Sequence, residues 1–315
     1  MAYGTKAVRR AATLATALLS LGAGLVPAAS AATPEPGGSS AYWTPARLAA
    51  ALPQRTDPAA PGTGDGPRPG EFIPPSHSFD GIPQAGAFFW TDADGTGRTC
   101  SGSVVHSPGR DLALSAGHCL KGYAGRAPKR HLAFVPQYHD GLTPFGVFPV
   151  RADGVYVAQE YYDRGEHAGA AYDFGFAVTE PNQAGQRLED AAGAVRLLTG
   201  TGYVHPWVRM IGYPGGSQQP LECLSRTTRW PSDDPADPGT FLRIACDAFT
   251  GGTSGGPMLV PWPGGWAVIG VIGGYHTGGN TPQVSYSAAF GPAVENLYEA
   301  AVSGAAPAGP HPAAE

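Results

Sequence analysis

The sequence predicts an all-β domain, either a sandwich or a barrel. Three observations lead there. Glycine (46) and proline (32) together form about a quarter of the 315 residues, a composition of turns and short strands rather than long helices. Short apolar runs recur with turn residues between them, and few carry a 3.6-residue period. No alternation of strand and helix patterns is visible, which argues against a parallel α/β sheet.

The expected strands are, in order, "AGAFFW", "SGSVVH", "DLALSA", "HLAFV", "FGVFPV", "DFGFAV", "PWVRMIGY", "TFLRIAC", "PMLV" and "WAVIGVIGG". Many are rich in Val, Ile, Phe and Tyr, which suit a pleated, half-buried surface. One helix is expected near the end. "PAVENLYEAAV" (292–302) starts with proline and sets Val294, Leu297, Tyr298 and Val302 at helical spacing. The polar stretch 180–196 is expected to bridge two β halves.

The flanks read differently. Lys6, Arg9 and Arg10 precede the apolar run 11–26, and "AASAA" (28–32) offers a small-residue cleavage site after Ala31 or Ala32. The run is short for a bilayer span of about 20 residues. Residues 1–31 are therefore expected to be a removed secretory signal, leaving an extracellular protein with no membrane attachment. Residues 32–78 are Pro/Gly-rich with few apolar anchors and read as a disordered linker or propeptide; 303–315 read as a disordered tail. The folded unit is expected over 79–302. Usage rich in Ala, Gly, Pro and Arg and poor in Lys points to a bacterial source. A formal charge of -5 with 14% charged residues gives no basic footprint for nucleic acid.

Export gives the four cysteines a meaning. None lies in a C-x-x-C pair, so zinc is a poor reading and no metal is expected. Of the three possible pairings, the sequence-local one is preferred, Cys100–Cys119 and Cys223–Cys246. Each bridge would close a loop of roughly 20 residues and contribute about 3 kcal/mol.

Three residues are candidates for chemistry: His118 after an apolar strand, Asp173 at the head of an alternating segment, and Ser254 among glycines in "GGTSGGP". Singly, each reads as readily as a structural histidine, a turn aspartate and a loop serine. Their order His–Asp–Ser, with "SAGHC", "GGTSGGP" and Cys100 before "SGSVV", resembles the chymotrypsin/trypsin-like serine peptidases. "VRMIGYPGG" (208–216) is similar to the secreted bacterial, glutamyl-endopeptidase-like branch. The resemblance spans 79–302 and implies two perpendicular six-stranded antiparallel β-barrels with a cleft between them. It implies a monomeric secreted endopeptidase, made as a zymogen, acting on protein or peptide without a cofactor. His118 would be general base and then acid, Asp173 would orient it, and Ser254 would attack. The backbone N–H groups of Gly252 and Ser254 would receive the oxyanion. The glycines then have a reason, since they reach backbone angles closed to other residues.

The pattern also breaks. Thr253 stands where the animal digestive branch has an aspartate that pairs with a new N-terminus, so that ion pair cannot form here. Removal of 32–78 is expected to unblock or trim the enzyme without such a switch. The primary pocket is expected from "CDAFT" (246–250) and "VIGGYHTGG" (271–279). Asp247 would favour Arg or Lys, yet Ala248 holds the trypsin-type position, and Asp247 reads equally as a turn residue. Ile272 aligns with the histidine of glutamyl endopeptidases, which argues against a Glu preference unless His276 folds back. Phe249 and Tyr275 leave an apolar preference open. Two alternatives remain: a catalytically inactive peptidase-fold binding protein, and an α/β-hydrolase esterase through the G-x-S-x-G of 252–256. The esterase needs a histidine after the serine, and only His276 and His311 follow.

Overall fold

Residues 38–54, expected to be disordered, fold onto the domain. A computed structural model describes residues 1–4, 38–54 and 66–306. The expected signal from residue 5 onward, residues 32–37 and 55–65 of the expected linker, and 307–315 of the expected tail lie outside the described residues. Helix α1 (Gly38–Tyr42) leads to α2 (Pro45–Ala49), where Thr44 accepts from the Arg47 amide and proline takes the first turn. Strand β1 (Leu52–Pro53) follows. Trp43, Leu48 and Ala51 share one buried face, and Trp43 Nε1 donates to the His131 carbonyl at 2.6 Å. The expectation of disorder fails because three apolar anchors at the right spacing suffice, even when Pro/Gly-rich chain on either side dilutes the composition.

Residues 66–78 also depart from the expected linker. Strand β2 (His77–Ser78) pairs antiparallel with a later strand, and the Pro74 carbonyl accepts from the Asp247 amide. Both carboxylate oxygens of Glu71 receive the guanidinium of Arg243, whose side chain is 1% exposed. The Arg243 hydrogen bond holds the Glu71 carboxyl below its ordinary range.

Six strands then close a barrel: β3 (Ala85–Thr91), β4 (Gly97–Val104), β5 (Leu112–Ser115), β6 (Arg130–Pro136), β7 (Phe148–Val157) and β8 (Gly175–Thr179). Their ladder runs β4-β3-β6-β7-β8-β5, and β5 pairs back to β4. Strand β1 adds to β4 in parallel at Arg98 and Thr99. The interior is aromatic: Phe88, Trp90, Phe134, Phe148, Phe174 and Phe176 are fully buried. Burial of such rings is the main stabilising term, at roughly 25 cal/mol per Å² of apolar surface. Between these strands lie the single turn α3 (Gly117–Leu120) and α4 (Gln159–Ala168).

The chain leaves the barrel through residues 180–195, where Asn182 folds a turn and α5 (Leu188–Ala192) follows. A second sheet takes β9 (Arg196–Leu197), β10 (His205–Gly212), β11 (Leu221–Pro231), β12 (Thr240–Ala245), β13 (Pro257–Trp262), β14 (Gly265–Val271) and β15 (Val284–Ala288). Its order is β15-β12-β11-β10-β13-β14-β9, with β2 on β11. The Val271 amide donates to Ser287 Oγ and the Gly273 amide to the Tyr286 carbonyl, both at 3.0 Å, which brings the end of β14 against β15. Met210, Leu242, Ile244, Met258 and Ile269 fill its core around the Cys223–Cys246 bridge. Helix α6 (Pro292–Ser303) returns to the first barrel, placing Tyr298 on Phe176 and its hydroxyl on the His106 carbonyl. The chain is thus an all-β molecule with a closed six-stranded antiparallel barrel, a second sheet that is antiparallel except where β9 joins β14, and a C-terminal helix.

Candidate active site

The site begins where β5 ends. Its four residues are buried, Ala116 leaves the strand, and α3 turns at once so that His118 faces inward with a fully buried side chain. A disulfide from Cys119 to Cys100 ties this turn to β4, as the sequence-local pairing expected, and Cys223–Cys246 is formed likewise. The sulfurs of Cys100 and Cys119 lie near His118, but they are bonded to one another and offer no thiolate to a metal.

Asp173 arrives from the other side. The short 3-10 turn Ala170–Tyr172 ends on it, just before β8. One carboxylate oxygen accepts from the His118 backbone amide at 3.0 Å. The other accepts from His118 Nδ1 at 2.8 Å and from the Gly274 amide at 2.9 Å. Hydrogen on Nδ1 leaves the lone pair on Nε2, which is buried and has no hydrogen-bond partner among the described residues. Burial disfavours the imidazolium, but the charge and hydrogen bond of Asp173 outweigh it, and the His118 pKa is raised. For Asp173, burial works against the carboxylate, yet His118 and the two amides hold its pKa below the ordinary value.

Ser254 sits in the turn between β12 and β13, and the first barrel holds that turn. The Ser101 amide donates to the Ser254 carbonyl at 2.7 Å, and Ser101 Oγ donates to the Gly252 carbonyl at 3.0 Å. Gly252 (φ +100°) and Gly255 (φ +80°) occupy backbone angles that favour glycine, and a Cβ on Gly255 would overlap Ser115 Oγ and the Ser101 carbonyl. The serine turn therefore lies against the residues just before His118. Thr253 organises the loop without an ion pair, since its amide and hydroxyl both donate to the Thr250 carbonyl. The amides of Thr253, Gly255 and Gly256 are used within the fold. Those of Gly252 and Ser254 donate to no acceptor among the described residues.

The expected pocket residues separate. Ala248, Phe249 and Ile272 pack in one cluster, with the Phe249 and Ile272 side chains buried. Tyr275 does not join them. It lies in another cluster with Phe241, Val284 and Tyr286, and its hydroxyl donates to Asp233. Asp247 is exposed and accepts from the following amide, the geometry of a turn residue rather than of a pocket floor. His276 is buried away from this cluster, against Asp234 at 2.9 Å. Sequence reading missed Ser101 and the Gly274 amide. It also missed a charged cavity of about 330 Å³ beside His118 that Gln54, Lys129 and Glu166 help to line. Burial lowers the Lys129 pKa to about 7.

No family model matches the chain, and no curated protein matches its sequence. Solved structures do. The protease Anisep from Arthrobacter nicotinovorans superposes with a TM-score of 0.61 at 24% identity, over 72% of this chain and 99% of that one. A thermostable serine protease, AL20, from an extremophilic microorganism gives 0.59 at 26%, over 70% and 97%. A Glu endopeptidase crystallised with MPD gives 0.54 at 18%, over 74% and 98%. These likenesses give the chain the chymotrypsin-like barrel fold of bacterial serine proteases.

Proposed function

We infer that this chain, a serine-type peptidase of chymotrypsin-like fold, cleaves peptide bonds internally through Ser254, His118 and Asp173. One observation carries the reading: a buried imidazole is held by Asp173 at Nδ1 while its Nε2 is left without a partner, next to the turn that bears Ser254.

The steps follow from the groups present. Ser254 Oγ attacks the substrate carbonyl carbon as its proton passes to His118 Nε2. The carbonyl oxygen becomes an anion and accepts from the Gly252 and Ser254 amides. Loss of one donor of this kind costs about 3 to 4 kcal/mol in transition-state stabilisation. Collapse breaks the C–N bond, and His118 hands its proton to the departing amine. Water then attacks the serine ester, gives its proton to His118, and the acid leaves as Ser254 regains its hydrogen. Asp173 holds the Nδ1–H tautomer and stabilises the imidazolium throughout.

Ala248, Phe249 and Ile272 present no charge, and Asp247 is engaged with its own turn, so the preferred residue before the scissile bond is uncharged. Two disulfides fit an exported enzyme with a protein or peptide substrate. A serine-directed phosphonylating reagent should label Ser254, and Ser254→Ala should export and fold normally with kcat lowered roughly 10⁶-fold. Unchanged hydrolysis in that variant would reject the assignment. Digestion of a peptide library by the exported protein tests the pocket: cuts concentrated after Arg, Lys or Glu would refute an uncharged preference.

A further inference from the structure

We propose that Asp237 is a positioning residue for Asp173, because it ties together the two segments that hold that carboxylate. The inference rests on the catalytic reading above, since it assigns Asp237 a part in setting the His118–Asp173 pair.

Asp237 lies in the loop between β11 and β12 and is completely buried. Its two oxygens have separate tasks. One accepts from His167 Nδ1 at 2.7 Å and the other from the His276 backbone amide at 2.6 Å. His167 is in the last turn of α4, six residues before Asp173. His276 is two residues after Gly274, whose amide donates to Asp173 Oδ2 at 2.9 Å. A single carboxylate from the second sheet thus reaches the strand of chain that delivers Asp173 and the strand of chain that hydrogen-bonds it.

The second segment needs such a tie. The turn Tyr275–Gly278 contains two successive non-glycine residues in the left-handed region, His276 at φ 47° and Thr277 at φ 55°. L-residues visit that region singly and at a cost, so two in a row persist only where surrounding contacts over-determine them. Here the contacts come from every side of His276. Its amide is held by Asp237, Nε2 by Asp234 at 2.9 Å, and Nδ1 meets Asn280 Nδ2 at 2.9 Å. Tyr275 stacks on the ring at 4.0 Å and donates to Asp233 at 3.0 Å. Immediately upstream, clearance is small: a Cβ on Gly273 would stand 2.9 Å from Asp173 Oδ2. If the turn relaxes, the Gly274 amide and the wall around Asp173 move with it.

The test is Asp237→Asn in the full chain. Asparagine keeps one acceptor oxygen, so both contacts survive only if His167 moves its ring hydrogen to Nε2 and accepts from the asparagine amide; Asp237→Ala, which removes both, is measured beside it. The expected result is kcat lowered at least about tenfold, with KM changed by less than about twofold. The midpoint of the acidic limb of kcat/KM should fall, because a displaced Asp173 no longer raises the His118 pKa. The proton resonance of His118 Nδ1–H should shift or broaden, and Asp237→Glu should restore part of kcat. Glu71→Gln is the comparison: it should lower Tm and leave kcat and the midpoint unchanged. If Asp237→Asn does not fold, His167→Ala, which removes only one arm of the tie, is read by the same three measurements. A folded variant with lowered Tm but unmoved kcat, midpoint and resonance overturns the proposal, as does a change confined to KM. Should the parent protein neither hydrolyse peptide nor label at Ser254, the catalytic reading itself fails; an active parent with unmoved variants sinks only the role of Asp237.

Discussion

The protonation of one imidazole sets the working range of the site. The His118 pKa is raised above 6.5 despite burial, because Asp173 stands at 2.8 Å. Protonated His118 cannot accept the serine proton, so kcat/KM should fall on acidification with a midpoint above 6.5, read directly from a pH–rate profile. The sign for stability is separate. A folded pKa raised above the unfolded value means the His118 contribution is complete below about 6.5 and fades as pH rises through the folded value. Asp173 works oppositely: its lowered pKa contributes above about 3.9 and is lost as pH falls through the folded value. Asp173→Asn should lower kcat about 10⁴-fold by favouring the wrong tautomer. The three candidate residues, His118, Asp173 and Ser254, were singled out in the sequence because each sits in a short motif. Ser101, the Gly274 amide and Asp237 were not, because they act through backbone groups or partners far along the chain. Ser101 meets Gly252 across 151 positions, a separation over which local patterning is silent.

Among the elements, strands carried by short apolar runs were legible; those whose apolar residues are interrupted by polar ones were not, even where, as in β15 with Ser285 and Ser287, every position is buried. β3, β5 and β8 are buried at every position and announce themselves as apolar runs. β11 and β15 were missed. In β11 the outward places hold Glu222, Arg226 and Arg229 beside an exposed Leu224, so no clean alternation survives. α4 escaped because it is polar overall and broken at Gly165, where φ is 80°. At this scale the two disulfides should differ in effect. Cys100–Cys119 joins β4 to the turn carrying His118, while Cys223–Cys246 braces the second sheet. Replacing either pair by alanine should cost about 3 kcal/mol in denaturant unfolding. Only the Cys100/Cys119 replacement should also lower kcat of the folded fraction, because it frees the α3 turn. Equal kcat for both variants would show that the bridge beside His118 has no positioning part.

For the whole molecule, the domain begins earlier than residue 79. Glu71 neutralises Arg243, β2 extends β11, and residues 38–54 cover the first barrel. Removal of 32–78 as one piece, which composition alone invited, would strip all three. Glu71→Ala leaves a buried guanidinium without its partner and should cost about 3 kcal/mol. A chain starting at 79 should be less stable still, as thermal melts of purified proteins would record. The placement of β1 has a further consequence. One edge of β4 is taken along its length by β3; the other is shared, with β5 at Ser103–Val104 and β1 at Arg98–Thr99. Without β1 the barrel wall would have a gap whose bare amides and carbonyls could template any extended polypeptide. By plugging that gap with its own chain, the molecule denies it to neighbours, and versions lacking 38–54 should cluster as concentration rises in light-scattering runs.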